Sequence, residues 1–331
     1  MKGLTDIPGL RVGHATNLDA ITGCTVILFN EAAVAGYDVR GSASGTAEFF
    51  VMDPGHIAGR IHAICLAGGS AFGLDAGTGV RNFLERSGVG FQTSHTVVPI
   101  VPTAILYDLG IGKANVRPNA EMGVLACEAA SDYAVLEGAV GAGTGATVGK
   151  AKGADHAMKS GIGSFTVRLG GEHEGVMVSA LAAVNAYGDV KDPATGKIIA
   201  GTRSAPGGME FVGAARLLIE GRQQGLVTNP IQAALPQGEN TTLVVVATNA
   251  KLDSVQARKL AQLSQIGMTN AISPAHTMVD GDLVVAVSAG DRNASMMSLG
   301  AAAAEAVGQA IVRAVKAAPT LGGYPGLSGK R

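Results

Sequence analysis

Pro236-Gln-Gly-Glu-Asn240-Thr241-Thr242-Leu-Val-Val-Val-Ala247 is the stretch around which the chain is organised. A polar, Gly-containing loop runs into an Asn-Thr junction, and an unbroken run of apolar, mostly β-branched residues follows. Such a run predicts a buried strand. A Thr at its first position is anchored behind and open in front. Cutting the bond between Asn240 and Thr241 would give Thr241 a free α-amine beside its own hydroxyl, and that amine can serve as the base that activates the hydroxyl. A Thr that merely leads from a turn into a strand would read the same way, so the rest of the chain decides.

The composition narrows the classes. Of 331 residues, 47% are hydrophobic and only 15% charged, enough apolar material for one large core or two ordinary ones. The net charge is −1 with no basic stretch, which leaves nucleic-acid binding without an electrostatic footprint. Three widely spaced cysteines (Cys24, Cys65 and Cys127) lack CxxC spacing and are expected to be buried free thiols. The seven histidines have no ligand spacing, so no metal or other cofactor is expected. The N-terminal residues carry no apolar signal core and no segment reaches membrane-spanning length, so a soluble cytoplasmic protein is the expectation.

Working outward, residues 7–30 predict two short strands joined by a polar loop. Residues 39–48 are too irregular for a strand. His62–Ala67 is a further strand, and it ends at Gly68-Gly69-Ser70-Ala-Phe72-Gly73 before a helix over 74–85. Backbone N–H groups at such a turn can receive an anion or an oxyanion; tight strand–helix packing demands the same glycines. Residues 97–106, with Pro99 and Pro102, predict an edge strand or extended passage. Residues 122–136 predict a helix.

Gly141-Ala-Gly143-Thr-Gly145-Ala146-Thr-Val-Gly149-Lys150 fits the loose dinucleotide pattern. It lacks the preceding apolar strand and the acidic residue about twenty positions on, and Lys150 is followed by Ala, so it is read as a flexible glycine loop. Residues 164–169 and 174–184 predict an antiparallel pair ending at Asn185. Residues 210–223 predict a short helix, and 224–240 a polar linker exposed to cutting. The C-terminal part predicts a strand over 242–248, a helix over 252–265, a strand over 283–288 and a long Ala-rich helix over 293–317. Strands alternating with small-faced helices predict a layered α/β fold.

Asp280 and Asp282 sit two apart at a strand entrance, where i and i+2 share a face. Two carboxylates on one face beside a nucleophile can orient a hydroxyl and share a proton. Asp-Gly-Asp is also ordinary turn chemistry.

Four segments in order, Ile7-Pro-Gly-Leu-Arg-Val-Gly-His-Ala-Thr16, Gly69-Ser-Ala-Phe-Gly-Leu-Asp-Ala76, Gly141-Ala-Gly-Thr-Gly-Ala-Thr-Val-Gly149 and the Asn240/Thr241 junction, resemble the DmpA-type peptidases. These comprise L-aminopeptidase/D-amide esterases, β-peptidyl aminopeptidases and endo-type nylon-oligomer hydrolases. The resemblance runs from about residue 4 to 317. It implies one four-layer αββα sandwich of the DmpA and ornithine acetyltransferase type over residues 1–331, cut by itself into chains 1–240 and 241–331 that remain associated. It implies Thr241 as nucleophile, Asn185 as oxyanion donor, Tyr107 as the aromatic hydroxyl of the cleft, and Lys159 as a lysine used in the nylon-hydrolase branch.

Aminopeptidase members place a Ser nucleophile, and Ser and Glu stand where this chain has Asp280 and Asp282. Thr with two Asp is similar to the nylon-oligomer branch, so endo-type cleavage of oligoamides such as 6-aminohexanoate oligomers is the expectation. The rivals are an aminopeptidase on short α- or β-peptides and an acyltransferase of the ornithine acetyltransferase type. Family habit implies a homo-oligomer, a tetramer of cleaved heterodimers, acting on a small oligoamide or peptide.

Overall fold

The computed structural model describes residues 1–223 and 239–329. Nine strands form the main sheet: β1 (Leu10–Asn17), β2 (Thr22–Val39), β3 (Gly45–Ala47), β4 (Ile61–Ala67), β5 (Thr103–Ile105), β6 (Ile162–Arg168), β7 (Met177–Asn185), β8 (Thr241–Ala250) and β9 (Leu283–Arg292). Their order is β6-β7-β8-β9-β2-β4-β5-β3, with β1 hairpinned onto β2. Four helices cover the faces: α1 (Ala76–Arg86), α2 (Ala120–Glu128), α3 (Ser254–Ala271) and α4 (Met296–Lys316).

The long strand β2 turns this one hydrogen-bonded path into two stacked layers. Its first half pairs with β4 from Cys24 to Leu28, and its second half pairs with β9 from Val34 to Val39, with an irregularity between. Side-chain alternation then sorts the core. On β8, Val244 and Val246 face Leu260, Ala261 and Met268 of α3 and Ala303, Ala306 and Val307 of α4. Leu243, Val245 and Ala247 face the other way, onto Ile27, Phe29, Ile64 and Leu66 of the second layer. That layer's outer face, Cys24, Val26, Leu28, Ala63 and Cys65, is covered by Ala76, Val80 and Leu84 of α1 and Ala126 and Cys127 of α2. The architecture is the expected αββα sandwich. A strand covered on both faces has no polar alternation to show, which is why residues 243–247 read as a continuous apolar run.

Small residues let the layers close. A Cβ on Gly267 of α3 would lie 2.1 Å from the Ala304 carbonyl oxygen of α4, so the helices cross at backbone contact only because that position is bare. Helix α3 opens on Asp253, whose side chain accepts from the Gln256 N–H while the Gln256 side chain accepts from the Asp253 N–H.

Several local expectations differ from the structure. Residues 45–47, expected as loop, form the edge strand β3 against β5. The segment expected at an edge, 97–106, instead contributes β5 between β4 and β3. Partner strands supply the hydrogen bonds that sequence pattern alone does not reveal. The helix expected over 122–136 stops at Glu128, and residues 210–223 hold only the short helix Ala214–Ile219. The glycine loop at 141–149 is buried and hydrogen-bonded along its length rather than free: Thr144 and Ala146 donate their N–H groups into it, and Gly141 and Ala142 bond to Thr16 and Thr25. The predicted linker lies, over 224–238, outside the described residues. All three cysteines are free and buried.

Candidate active site

Three strand ends meet at the Asn240–Thr241 junction. Antiparallel pairing of β7 with β8 sets Asn185, the last residue of one, opposite Thr241, the first of the other. Parallel pairing of β8 with β9 aligns Leu243 with Leu283, so the residues just before each strand also run side by side, and Asn240 pairs with Asp280. Residues 185, 241 and 280–282, far apart in the chain, are thereby brought together by register.

The Thr241 Oγ1 donates to the Asn240 carbonyl oxygen at 2.5 Å. The same oxygen accepts the Gly281 N–H at 2.8 Å. Thr241 is 1% exposed and Asn240 5%, so the junction is enclosed rather than displayed. A Cβ on Gly281 would stand 2.7 Å from Thr241 Oγ1, which makes the absence of a side chain there a condition of the hydroxyl's position.

Asp280 and Asp282 are both buried, and each holds backbone close to the junction. Asp282 Oδ1 accepts the Thr242 N–H at 2.7 Å, and its Oδ2 accepts the His276 N–H at 2.9 Å and lies 3.1 Å from His276 Nδ1. Asp280 Oδ1 accepts the Tyr187 N–H at 3.1 Å, and its Oδ2 accepts the N–H and hydroxyl of Thr277. Burial first, and the neighbouring Asp282 second, push the Asp280 carboxyl up to about 6. The loop expected at 39–48 covers this turn: the Arg40 and Gly41 N–H groups bond to the Asp282 carbonyl and the Ala43 N–H to that of Asp280.

Asn185 points at the residue before the junction. Its Nδ2 donates to the Glu239 carbonyl at 3.0 Å and to the Tyr107 carbonyl at 2.8 Å, and its Oδ1 accepts the Thr147 N–H at 3.0 Å. In this uncut chain the amide therefore holds Glu239, while Gly281 holds the carbonyl of the junction itself. Tyr107 lines a cavity of 250 Å³ in front of the junction, shared with Asp108, Lys150, Tyr187, Glu239 and Asn240.

Lys159 is completely buried, and its Nζ donates to the carbonyls of Gly143, Ala146 and Ser160 at 3.3, 2.8 and 2.6 Å. These bonds tie the lysine into the glycine loop. The lysine that reaches the junction segment is Lys150, whose Nζ donates to Asn185 Oδ1 at 2.9 Å and the Glu239 carbonyl at 3.1 Å. Burial lowers both ammonium groups to about 7. In the sequence Lys150 stands out only as the residue after a glycine-rich loop. Its one available signal was a lone charge directly after a run of glycines and apolar residues.

The glycine turn at 68–70 does not offer its N–H groups to a ligand. Gly69 donates to Asp108 Oδ1 at 2.6 Å and Ser70 to the Leu106 carbonyl, so strand–helix packing is what those glycines serve.

The sequence pattern of peptidase family S58 matches residues 2–328. The chain belongs to peptidase family S58. This S58 chain is 36% identical to an uncharacterized aminopeptidase of Mycobacterium tuberculosis (strain ATCC 25618 / H37Rv), over 98% of its own length and 96% of the relative's. It is 30% identical to the 6-aminohexanoate-oligomer endohydrolase of Kocuria sp. (strain KY2), over 94% and 85% of the two chains. Among solved structures its fold is similar to the β-aminopeptidase of Burkholderia sp., with a TM-score of 0.68 at 23% identity over 99% and 91% of the chains. It is also similar to the L-aminopeptidase D-Ala-esterase/amidase of Ochrobactrum anthropi, described as a variant of the Ntn hydrolase fold, with a TM-score of 0.71 at 19% identity over 98% and 88%. This S58 chain is thus a hydrolase acting on amide bonds.

Proposed function

We propose that this S58 hydrolase cuts itself between Asn240 and Thr241, and then cleaves interior bonds of oligoamides through an acyl-enzyme on Thr241. The observation that carries the reading is the contact of the Thr241 hydroxyl with the carbonyl oxygen of the preceding peptide, with the Gly281 N–H on the same oxygen. The burial of the junction supports self-cleavage over cutting by another protease, which needs an exposed, extended segment.

In the precursor, Thr241 Oγ1 attacks the Asn240 carbonyl carbon while the Gly281 N–H stabilises the oxyanion. The C–N bond breaks, the hydroxyl proton ends on the Thr241 nitrogen, and water hydrolyses the resulting ester to give chains 1–240 and 241–331. In the mature enzyme the freed α-amine takes the hydroxyl proton, the substrate carbonyl is attacked, the amine product leaves, and water clears the acyl group. Asp282, through the Thr242 N–H, fixes the backbone that carries the nucleophile, and Asp280, through Tyr187 and Thr277, fixes the neighbouring segments. The α-amine is assigned as base because the Lys159 donors are already engaged by three carbonyls. Tyr107 forms the wall of the substrate cleft.

Thr with paired Asp, and 30% identity to an endohydrolase of 6-aminohexanoate oligomers, support the endo-type reading. The 36% identity to proteins named aminopeptidases supports a second one, removal of N-terminal residues from short peptides. Intact mass under denaturing conditions tests the first step: two chains are expected from the wild type and one from Thr241→Ala. Hydrolysis of an oligoamide capped at its amine separates the two activities, because an obligate aminopeptidase leaves it untouched. A single chain from the wild type would remove Thr241 as nucleophile.

A further inference from the structure

We propose that Lys150 and Asn185 form an acyl-side subsite for the amide carbonyl one residue upstream of the scissile bond, which makes an acylated residue a better substrate than one bearing a free amine. The inference rests on the reading of Thr241 as nucleophile. In the uncut chain, Glu239-Asn240 stands on the acyl side of Thr241 and so occupies the place that the acyl half of a substrate takes. Its interactions are a record of what that place recognises.

Two donors, the buried Asn185 and the part-buried Lys150, converge on one carbonyl there. The Glu239 oxygen accepts from Lys150 Nζ at 3.1 Å and from Asn185 Nδ2 at 3.0 Å. The orientation of the Asn185 amide is fixed from behind: Oδ1 takes both the Thr147 N–H at 3.0 Å and the Lys150 ammonium at 2.9 Å, which leaves Nδ2 facing the acceptors. Lys150 also reaches the Asn185 backbone carbonyl at 3.4 Å. When cleavage frees this space, the subsite presents two donors that need an acceptor. An upstream amide carbonyl satisfies them. A substrate ending in an ammonium offers no acceptor there, so each donor loses one partner: Lys150 keeps only the Asn185 oxygens, and Asn185 Nδ2 only the Tyr107 carbonyl. The side chain of Asn240 lies beside this subsite, with its Nδ2 3.3 Å from the Val279 carbonyl, so a small amide side chain is the natural probe.

The test uses three p-nitroanilides: acetyl-asparaginyl, whose acetyl carbonyl stands for that of Glu239; asparaginyl, with a free amine; and succinamyl, with neither. The processed wild type is expected to show kcat/KM about tenfold or more higher for the acetylated compound than for either of the others. In Lys150→Met the advantage of the acetylated over the succinamyl compound is expected to shrink to about twofold or less, mainly through KM, while Lys150→Arg retains most of it. Preference of the wild type for the free amine, or an unchanged ratio in Lys150→Met, would overturn the subsite. If Lys150→Met stays a single chain by mass, the wild-type ratios alone decide. A wild type that remains one chain and cleaves none of the three sinks the Thr241 reading instead, whereas a processed enzyme that cleaves all three equally sinks only the subsite.

Discussion

Asp280 is the residue whose titration reports on the site. Its carboxyl, pushed up to about 6, faces Asp282 as a like charge and the Lys150 ammonium as an opposing one; the Tyr187 N–H donates to it, and His276 bonds to Asp282. The sign follows from the raised value: below about pH 6 the proton stays on, and the oxygens that accept the Tyr187 N–H and the Thr277 groups lose their charge. The kcat/KM of the processed enzyme on an oligoamide is therefore expected to carry, besides the limb set by protonation of the Thr241 α-amine, a second loss of about tenfold per pH unit below about 6. Asp280→Asn should be weak and lack that second loss. A second loss that persists unchanged in the variant would assign it to another group. Lys159 illustrates a different residue-level lesson. A buried lysine with a lowered pKa has the look of a general base, yet its three carbonyl partners give it a structural task.

At the scale of elements, the turn into β9 matters more than either carboxylate taken alone. Asp280-Gly281-Asp282 places a backbone N–H against the carbonyl of the neighbouring strand, and it does so because β8 and β9 run parallel in register. Gly281→Ala would set a methyl group 2.7 Å from both the Thr241 hydroxyl and the Ala43 carbonyl oxygen. The expected outcome is a folded chain, destabilised by about 1–3 kcal/mol, that stays uncut by intact mass. Processing at the wild-type rate would show that neither the N–H nor the space around it is used. Much of this element was legible beforehand: the strand after Thr241, the pair ending at Asn185 and the Asp-Gly-Asp entrance all fall where periodicity puts them. The N–H of Gly281 was not legible, because a backbone donor has no sequence signature.

For the whole molecule, the position of residues 241–331 within the sheet has a consequence. Strands β8 and β9 lie between β7 and β2, both of which come before the junction, so each half of the chain hydrogen-bonds to the other along two strand edges. After cleavage the two chains are expected to co-elute in size-exclusion chromatography without denaturant and to unfold in one cooperative transition on heating. Separation of the 91-residue chain under native conditions would contradict this placement.

The sequence by itself carried the layering, because an apolar, mostly β-branched run predicts a strand covered on both faces. It also marked Thr241, through the family resemblance, as the candidate nucleophile. What only the tertiary structure decided is which distant groups share the space in front of Thr241. Lys150 and Lys159 lie nine positions apart and both follow the glycine loop, yet one donates to the Glu239 carbonyl and the other to the carbonyls of Gly143, Ala146 and Ser160. The physical reason is that hydrogen-bond partners are set by strand register and loop path, and these are fixed by contacts between residues far apart in the chain.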